Sequence, residues 1–202
     1  MISARFTQSL LLFITDLGDA ALLIPASLAV LIWFWCRGLT RIAGLYAAAI
    51  LATLLLTLIA KIGFHLYDGT LAGIALRSPS GHTALAMTCY GTAALLIGIE
   101  RTRATRMALL AGTFLLVTLI AASRILLLAH TIPEVALGGV IGTIATAGFA
   151  FFYWRRPSAS LDWRWALPML LAMAVLVRHW HLSVEGPVAW GAGTVKSWLG
   201  LP

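Results

Sequence analysis

Uncharged apolar runs recur along this chain, from Ala20 to Cys36, Ile42 to Ala60, Gly81 to Ile99, Met107 to Ser123, Val135 to Trp154 and, in a shorter form, Trp165 to Val177. A helix rises about 1.5 Å per residue and a bilayer's hydrocarbon layer is about 30 Å thick, so runs of about 17 to 25 residues can span it. Five runs meet that length, and the sixth does so with its flanking residues. The stretch from Phe6 to Leu17 is too short and interrupted to span. It lacks the basic start and small-residue cleavage site of a signal peptide and carries Asp16, so it predicts an interfacial helix leading into the first span. Nothing repeats at a solenoid period, and no Ser, Pro or Gln tract separates a second domain. The expected fold is all-α: one polytopic membrane helical bundle over residues 1–202, with about six transmembrane helices and an N-terminal interfacial helix.

Composition agrees with the pattern. Hydrophobic residues make up 61% of the chain and charged ones 10%, and the mean hydropathy is +0.96, values foreign to a soluble domain. A formal charge of +7 raises the question of nucleic acid, but the basic residues lie between apolar runs instead of forming a stripe, which argues against a nucleic-acid partner. Threading the six runs puts Arg37 and Arg41, then Arg101, Arg103 and Arg106, then Arg155, Arg156 and Arg164 on one side, cytoplasmic by the positive-inside rule. Both termini then face outward from a cell (inner) membrane. Trp33, Trp35, Trp154, Trp163, Trp165 and Trp180 fall near span ends, where amphipathic rings favour the headgroup region. Cys36 and Cys89 have no disulfide or zinc spacing. The outer connection with room for chemistry runs from His65 to Pro79, and the tail from His181 to Pro202 is expected at the outer interface.

Titratable groups within or beside membrane spans are costly and persist where they are paired or used. That filter retains Lys61, His65, Arg77, His82, Arg124, His130 and Glu134, all at outer span ends. Lys61, Arg77 and Arg124 are cations able to hold a phosphoryl group by charge-assisted hydrogen bonds. Ser80 and Gly81 open a helix, whose leading N–H groups and dipole favour an anion. His82 and His130 are imidazoles suited to base, nucleophile or acid near neutrality. Glu134, four residues after His130 across a helix start marked by Thr131 and Pro133, is placed to accept the ring N–H and fix its tautomer. Gly138, Gly139 and Gly142 read as small residues permitting close helix packing.

These residues form a pattern. Pro79-Ser80-Gly81-His82, followed by Ser123-Arg124, five residues, His130 and a carboxylate four further on, resembles the type 2 phosphatidic acid phosphatase superfamily, whose relatives include lipid phosphate phosphatases and undecaprenyl diphosphate phosphatases. The resemblance covers about Lys61 to Gly142, the expected catalytic core. It implies His130 as nucleophile, His82 as general acid, and Lys61, Ser80, Gly81 and Arg124 as phosphate ligands, with Glu134 at the family's Asp position. Its first motif, a Lys with Arg-Pro seven residues on, is matched only at Lys61, since Asp68 stands at the seventh position. Arg77 is the candidate for the missing guanidinium.

The activity this implies is hydrolysis of a lipid phosphomonoester or diphosphate through a phosphohistidine. Undecaprenyl diphosphate, phosphatidate, phosphatidylglycerophosphate and lipid A-type headgroups are the substrate candidates, with the site on the outer, periplasmic face and no metal or cofactor required. The expected partners are the lipid phosphate substrate and membrane lipids. A catalytically weak relative that binds or transports lipid phosphate is the alternative, and a vanadate-dependent oxidase is disfavoured because such proteins are soluble.

Overall fold

The computed structural model describes residues 2–66, 70–71, 74–75, 78–155 and 197–198. Helices α1 (Ile2–Asp16), α2 (Ala20–Cys36), α3 (Thr40–Leu66), α4 (Gly81–Gly98), α5 (Arg103–Leu126) and α6 (Ile132–Trp154) build the bundle. The connection between α3 and α4, expected as loop, holds a two-residue antiparallel pair, β1 (Thr70–Leu71) and β2 (Ile74–Ala75), with Thr70 opposite Ala75.

Among the described residues, Phe6–Cys36, Thr40–Phe64, Arg103–Leu126 and Ile132–Trp154 are long and apolar enough to cross a membrane. They contain four of the expected runs. The run Gly81 to Ile99 is realised as α4, which carries His82, Thr83, Thr88, Tyr90 and Thr92 and is packed against α2, α3, α5 and α6. Its polar groups are answered inside the protein: the Thr88 hydroxyl lies 2.7 Å from that of Thr53, and the Thr92 hydroxyl donates to the Thr88 carbonyl at 2.6 Å. A helix at the centre of a bundle can be less apolar than its neighbours because lipid never touches it. The chain is thus an all-α membrane bundle. The expected run Trp165 to Val177 and most of the tail from His181 lie outside the described residues.

The N-terminal segment forms a helix, as expected, and packs on α5. It is separated from α2 at Leu17 to Asp19 for local reasons. Asp19 is in extended conformation and its carboxylate accepts the Ala21 N–H at 2.7 Å, the N-cap of α2. A Cβ on Gly18 would stand 2.7 Å from Ile120 Cγ2 and 3.3 Å from His82 Cβ, so only glycine lets this turn lie against α4 and α5. At its far end α2 stops at Gly38, whose φ of +71° and the bond from Leu39 N to Phe34 O at 2.9 Å close the helix.

Helices α4 and α6 approach each other closely. A Cβ on Gly138 would lie 2.4 Å from the Ser80 carbonyl oxygen, and one on Gly142 2.4 Å from that of Ala84. These two glycines do what small residues do between membrane helices. Gly139 does not, since a Cβ there would meet Thr83 Cγ2 at an ordinary 3.9 Å.

Charge divides between the two ends. One end gathers four arginines: Arg41 donates to the Phe152 carbonyl at 2.5 Å, Arg106 to those of Gly98 and Ile99, Arg37 lies over Trp33 and Arg155 over Phe151. The opposite end collects the starts of α2, α4 and α6 and the ends of α3 and α5.

Candidate active site

His130 sits in the short turn joining α5 to α6, and the turn is fixed from both sides. The N–H groups of Ala129 and His130 donate to the Arg124 carbonyl at 3.0 and 3.2 Å. Leu128 takes a left-handed conformation, φ +58°, the only non-glycine among the described residues to do so, and that reversal turns the chain back toward the bundle. Thr131 caps α6, with Pro133 in its first turn, as the sequence suggested.

Glu134 completes the turn. One carboxylate oxygen accepts the Thr131 N–H at 2.9 Å, the side-chain half of a capping box, and lies 3.0 Å from His130 Nδ1. Its other oxygen accepts the Ser78 N–H at 3.0 Å, and the Glu134 carbonyl accepts the Ser80 N–H at 3.0 Å. A residue at the start of α6 therefore holds both the imidazole and the segment that enters α4. Glu134 is 4% exposed, and a carboxylate so buried needs several donors.

The contact with Glu134 at Nδ1 leaves Nε2 as the second nitrogen of the His130 ring. Burial holds the imidazole below its ordinary range. The hydrogen bond to Glu134 opposes that shift, while the Arg124 charge and, more weakly, Lys61 reinforce it.

Lys61, near the end of α3, is 3% exposed, and its ammonium donates to Ser78 Oγ at 2.9 Å. Ser80 is fully buried. Its hydroxyl accepts from Thr83 N at 3.4 Å and Thr83 Oγ1 at 3.1 Å, which makes it the N-cap of α4. Since the Ser80 N–H is committed to Glu134, the α4 N–H groups without an intrahelical acceptor begin at Gly81 and His82. Arg124, in the last turn of α5, reaches Thr15 Oγ1 at 3.2 Å through Nη1. His82 follows Gly81, and its Nε2 stands 3.4 Å from Asp19 Oδ2.

Lys61, Ser80, Gly81, His82, Arg124, His130 and Glu134 thus lie at one end of the bundle: Lys61 and Glu134 bond the segment that enters α4, and Arg124, near enough to His130 to shift it, bonds Thr15 of α1. Arg77 lies outside the described residues, as do the side chain of His65 and the whole of Asp68. Three residues at this end escaped the sequence reading. Ser78 and Thr15 are uncharged hydroxyls with no signal of their own. Asp19 did have one, being an acid immediately before an apolar run at the outer side, the same mark that selected Glu134. Among the described residues, no group of three or more His, Cys, Asp or Glu is arranged to hold a metal ion.

Comparison with curated proteins and with solved structures gave no match. The family model of the PAP2 superfamily matches residues 64–158, a stretch that contains the Pro79 to His82 motif, Arg124, His130 and Glu134 and begins three residues after Lys61. Members of that superfamily are phosphatases, which supports phosphoester hydrolysis here. The match to the PAP2 superfamily thus covers residues 64–158, a little under half of the chain, and agrees with the resemblance carried by Pro79 to His82 and by Arg124, His130 and Glu134.

Proposed function

We propose that this protein is a membrane lipid phosphatase that works through a phosphohistidine at His130, on the end of the bundle opposite Arg37, Arg41, Arg106 and Arg155 and facing outward from the inner membrane. The observation that carries the reading is the double hold of Glu134, whose carboxylate fixes His130 Nδ1 while bonding the segment that leads into Ser80, Gly81 and His82.

In this mechanism Lys61, Arg124, Arg77 and the leading N–H groups of α4 hold the phosphoryl oxygens. His130 Nε2, neutral because burial disfavours its charged form, attacks phosphorus in line. A P–N bond forms as the P–O ester bond breaks, and His82 gives its proton to the departing oxygen. Glu134 stabilises the imidazolium produced on His130. Water then cleaves the P–N bond, returns a proton to His82 and releases inorganic phosphate.

The turn that presents His130 supports a lipid substrate. Leu126, Leu128 and Ile132, in and beside it, are exposed, Leu128 by 93%, so the stretch of chain that carries the nucleophile offers apolar side chains suited to acyl chains. Phosphatidate, phosphatidylglycerophosphate, lipid A-type headgroups and undecaprenyl diphosphate are the substrates to compare.

Phosphate release from that panel by the purified protein in detergent, with excess chelator, tests the reading. His130→Ala should reduce release at least about 10³-fold. A variant that keeps turning over would remove His130 from the chemistry. No release by the parent protein on any lipid would favour the lipid-phosphate binder or transporter instead.

A further inference from the structure

The His82 ring is backed by a carboxylate that the reaction as described does not use. Asp19 comes from the turn between α1 and α2, remote in sequence from every motif residue, and is 9% exposed. One of its oxygens caps α2 through Ala21 N at 2.7 Å, and the other stands 3.4 Å from His82 Nε2. The placement is built, because Gly18 is the residue whose missing side chain lets this turn lie against His82 Cβ. The two histidines are therefore held in complementary ways, His130 at Nδ1 by Glu134 and His82 at Nε2 by Asp19.

We propose that Asp19 is a positioning residue for His82 and that the pair adapts the site to lipid phosphomonoesters with an alcohol leaving group, in preference to lipid diphosphates. The proposal rests on the phosphatase reading above. A carboxylate facing Nε2 requires a proton there, so the transferable proton of the imidazolium is the one on Nδ1. After that proton is given up, the neutral ring keeps its Nε2–H toward the Asp19 carboxylate, which favours a single tautomer. An alkoxide is too basic to depart unprotonated: as its P–O bond breaks, the oxygen must take the Nδ1 proton, and the lipid alcohol leaves neutral. A diphosphate expels a lipid phosphate, a stable anion that gains little from a proton. A device for delivering one proton in a fixed direction therefore serves the first reaction far more than the second.

Asp19→Asn separates this role from helix capping, because Asn caps as well as Asp while losing the charge. Asp19→Ser, another good cap, is the second variant. Phosphate release is measured as kcat/KM, which includes the bond-breaking step, on an alkyl phosphate, a p-alkylphenyl phosphate and a prenyl diphosphate of matched chain length. The parent protein should prefer the alkyl phosphate to the diphosphate. Both variants should lose about 10- to 100-fold on the alkyl phosphate, with the loss shrinking to a few-fold on the aryl phosphate and the diphosphate as the leaving group improves. A uniform loss across the three substrates, or variants indistinguishable from the parent on the alkyl phosphate, would overturn the role of Asp19. A parent that prefers the diphosphate would overturn the substrate class. Release from all three that survives His130→Ala would instead sink the phosphatase reading itself, so the two failures are distinguishable.

Discussion

Glu134 accepts from Thr131 N, Ser78 N and the His130 ring on one buried carboxylate, a reach for which glutamate has one methylene more than aspartate. The extra methylene lets a residue at the third position of α6 reach back to its cap and across to Ser78 together. Glu134→Asp should therefore keep one or two of these contacts and lose the others, lowering the melting temperature in detergent by an amount matching about 1 kcal/mol, the usual worth of a cap. An unchanged melting temperature would mean that the shorter side chain spans the same three donors.

The charge environment of His130 makes a second residue-scale prediction, with opposite signs for two variants. Neutral imidazole is the attacking form, and burial with the nearby cations holds the ring below the ordinary value near 6.5. The acid limb of kcat/KM should accordingly lie below that pH. Lys61→Gln removes a charge that disfavours protonation, so the limb should move to higher pH. Glu134→Gln removes the hydrogen bond and charge that favour protonation, so the limb should move to lower pH as the rate falls. Substrate ionisation is common to the three proteins and cancels when their profiles are compared at constant ionic strength. Movement of both limbs in the same direction would contradict the assignment of the limb to His130.

At the scale of elements, the α4–α6 contact controls the site, because the oxygen that a Cβ on Gly138 would strike belongs to Ser80. Gly138→Ala and Gly142→Ala must push backbone from backbone, with an expected cost of about 1 to 3 kcal/mol, and Gly138→Ala should also depress turnover by displacing the start of α4. Gly139→Ala, with ordinary contacts, and Gly148→Ala, with none within 4 Å, are the near-neutral controls. Thermal melts of the four variants check the ranking, and a Gly139→Ala loss as large as that of Gly138→Ala would break it.

The elements were largely legible in the sequence, for identifiable reasons. Apolar runs long enough to span became helices, and Asp19, Gly38, Thr102 and Thr131, of which only Thr131 was used as a sequence signal, cap or terminate them. The site was legible where a titratable group stands out against apolar surroundings, as at Lys61, Arg124, His130 and Glu134. It was opaque where the partner is an uncharged hydroxyl brought in by tertiary packing, as with Ser78 against Lys61 or Thr15 against Arg124. Periodicity could not show that α4 is the enclosed helix. Its lower hydropathy has meaning only once its four neighbours are known.

The described part of the molecule is polarised, with Arg37, Arg41, Arg106 and Arg155 at one end and His82 and His130 at the other, and the positive-inside rule makes that polarity an orientation that can be tested. The protein contains its own reporter. Cys36 is exposed at the end of α2, beside Arg37 and on the basic end, whereas Cys89 is buried in α4 against Ser27. A membrane-impermeant maleimide should therefore modify Cys36 in inverted inner-membrane vesicles and leave it unmodified in intact spheroplasts, with Cys89 silent in both. A cysteine introduced as Ala129→Cys, next to His130 in a Cys36→Ser background, should show the reverse pattern. Labelling of Cys36 from outside would invert the bundle, placing the phosphatase site in contact with cytoplasmic lipid phosphates and removing the basis for a periplasmic substrate.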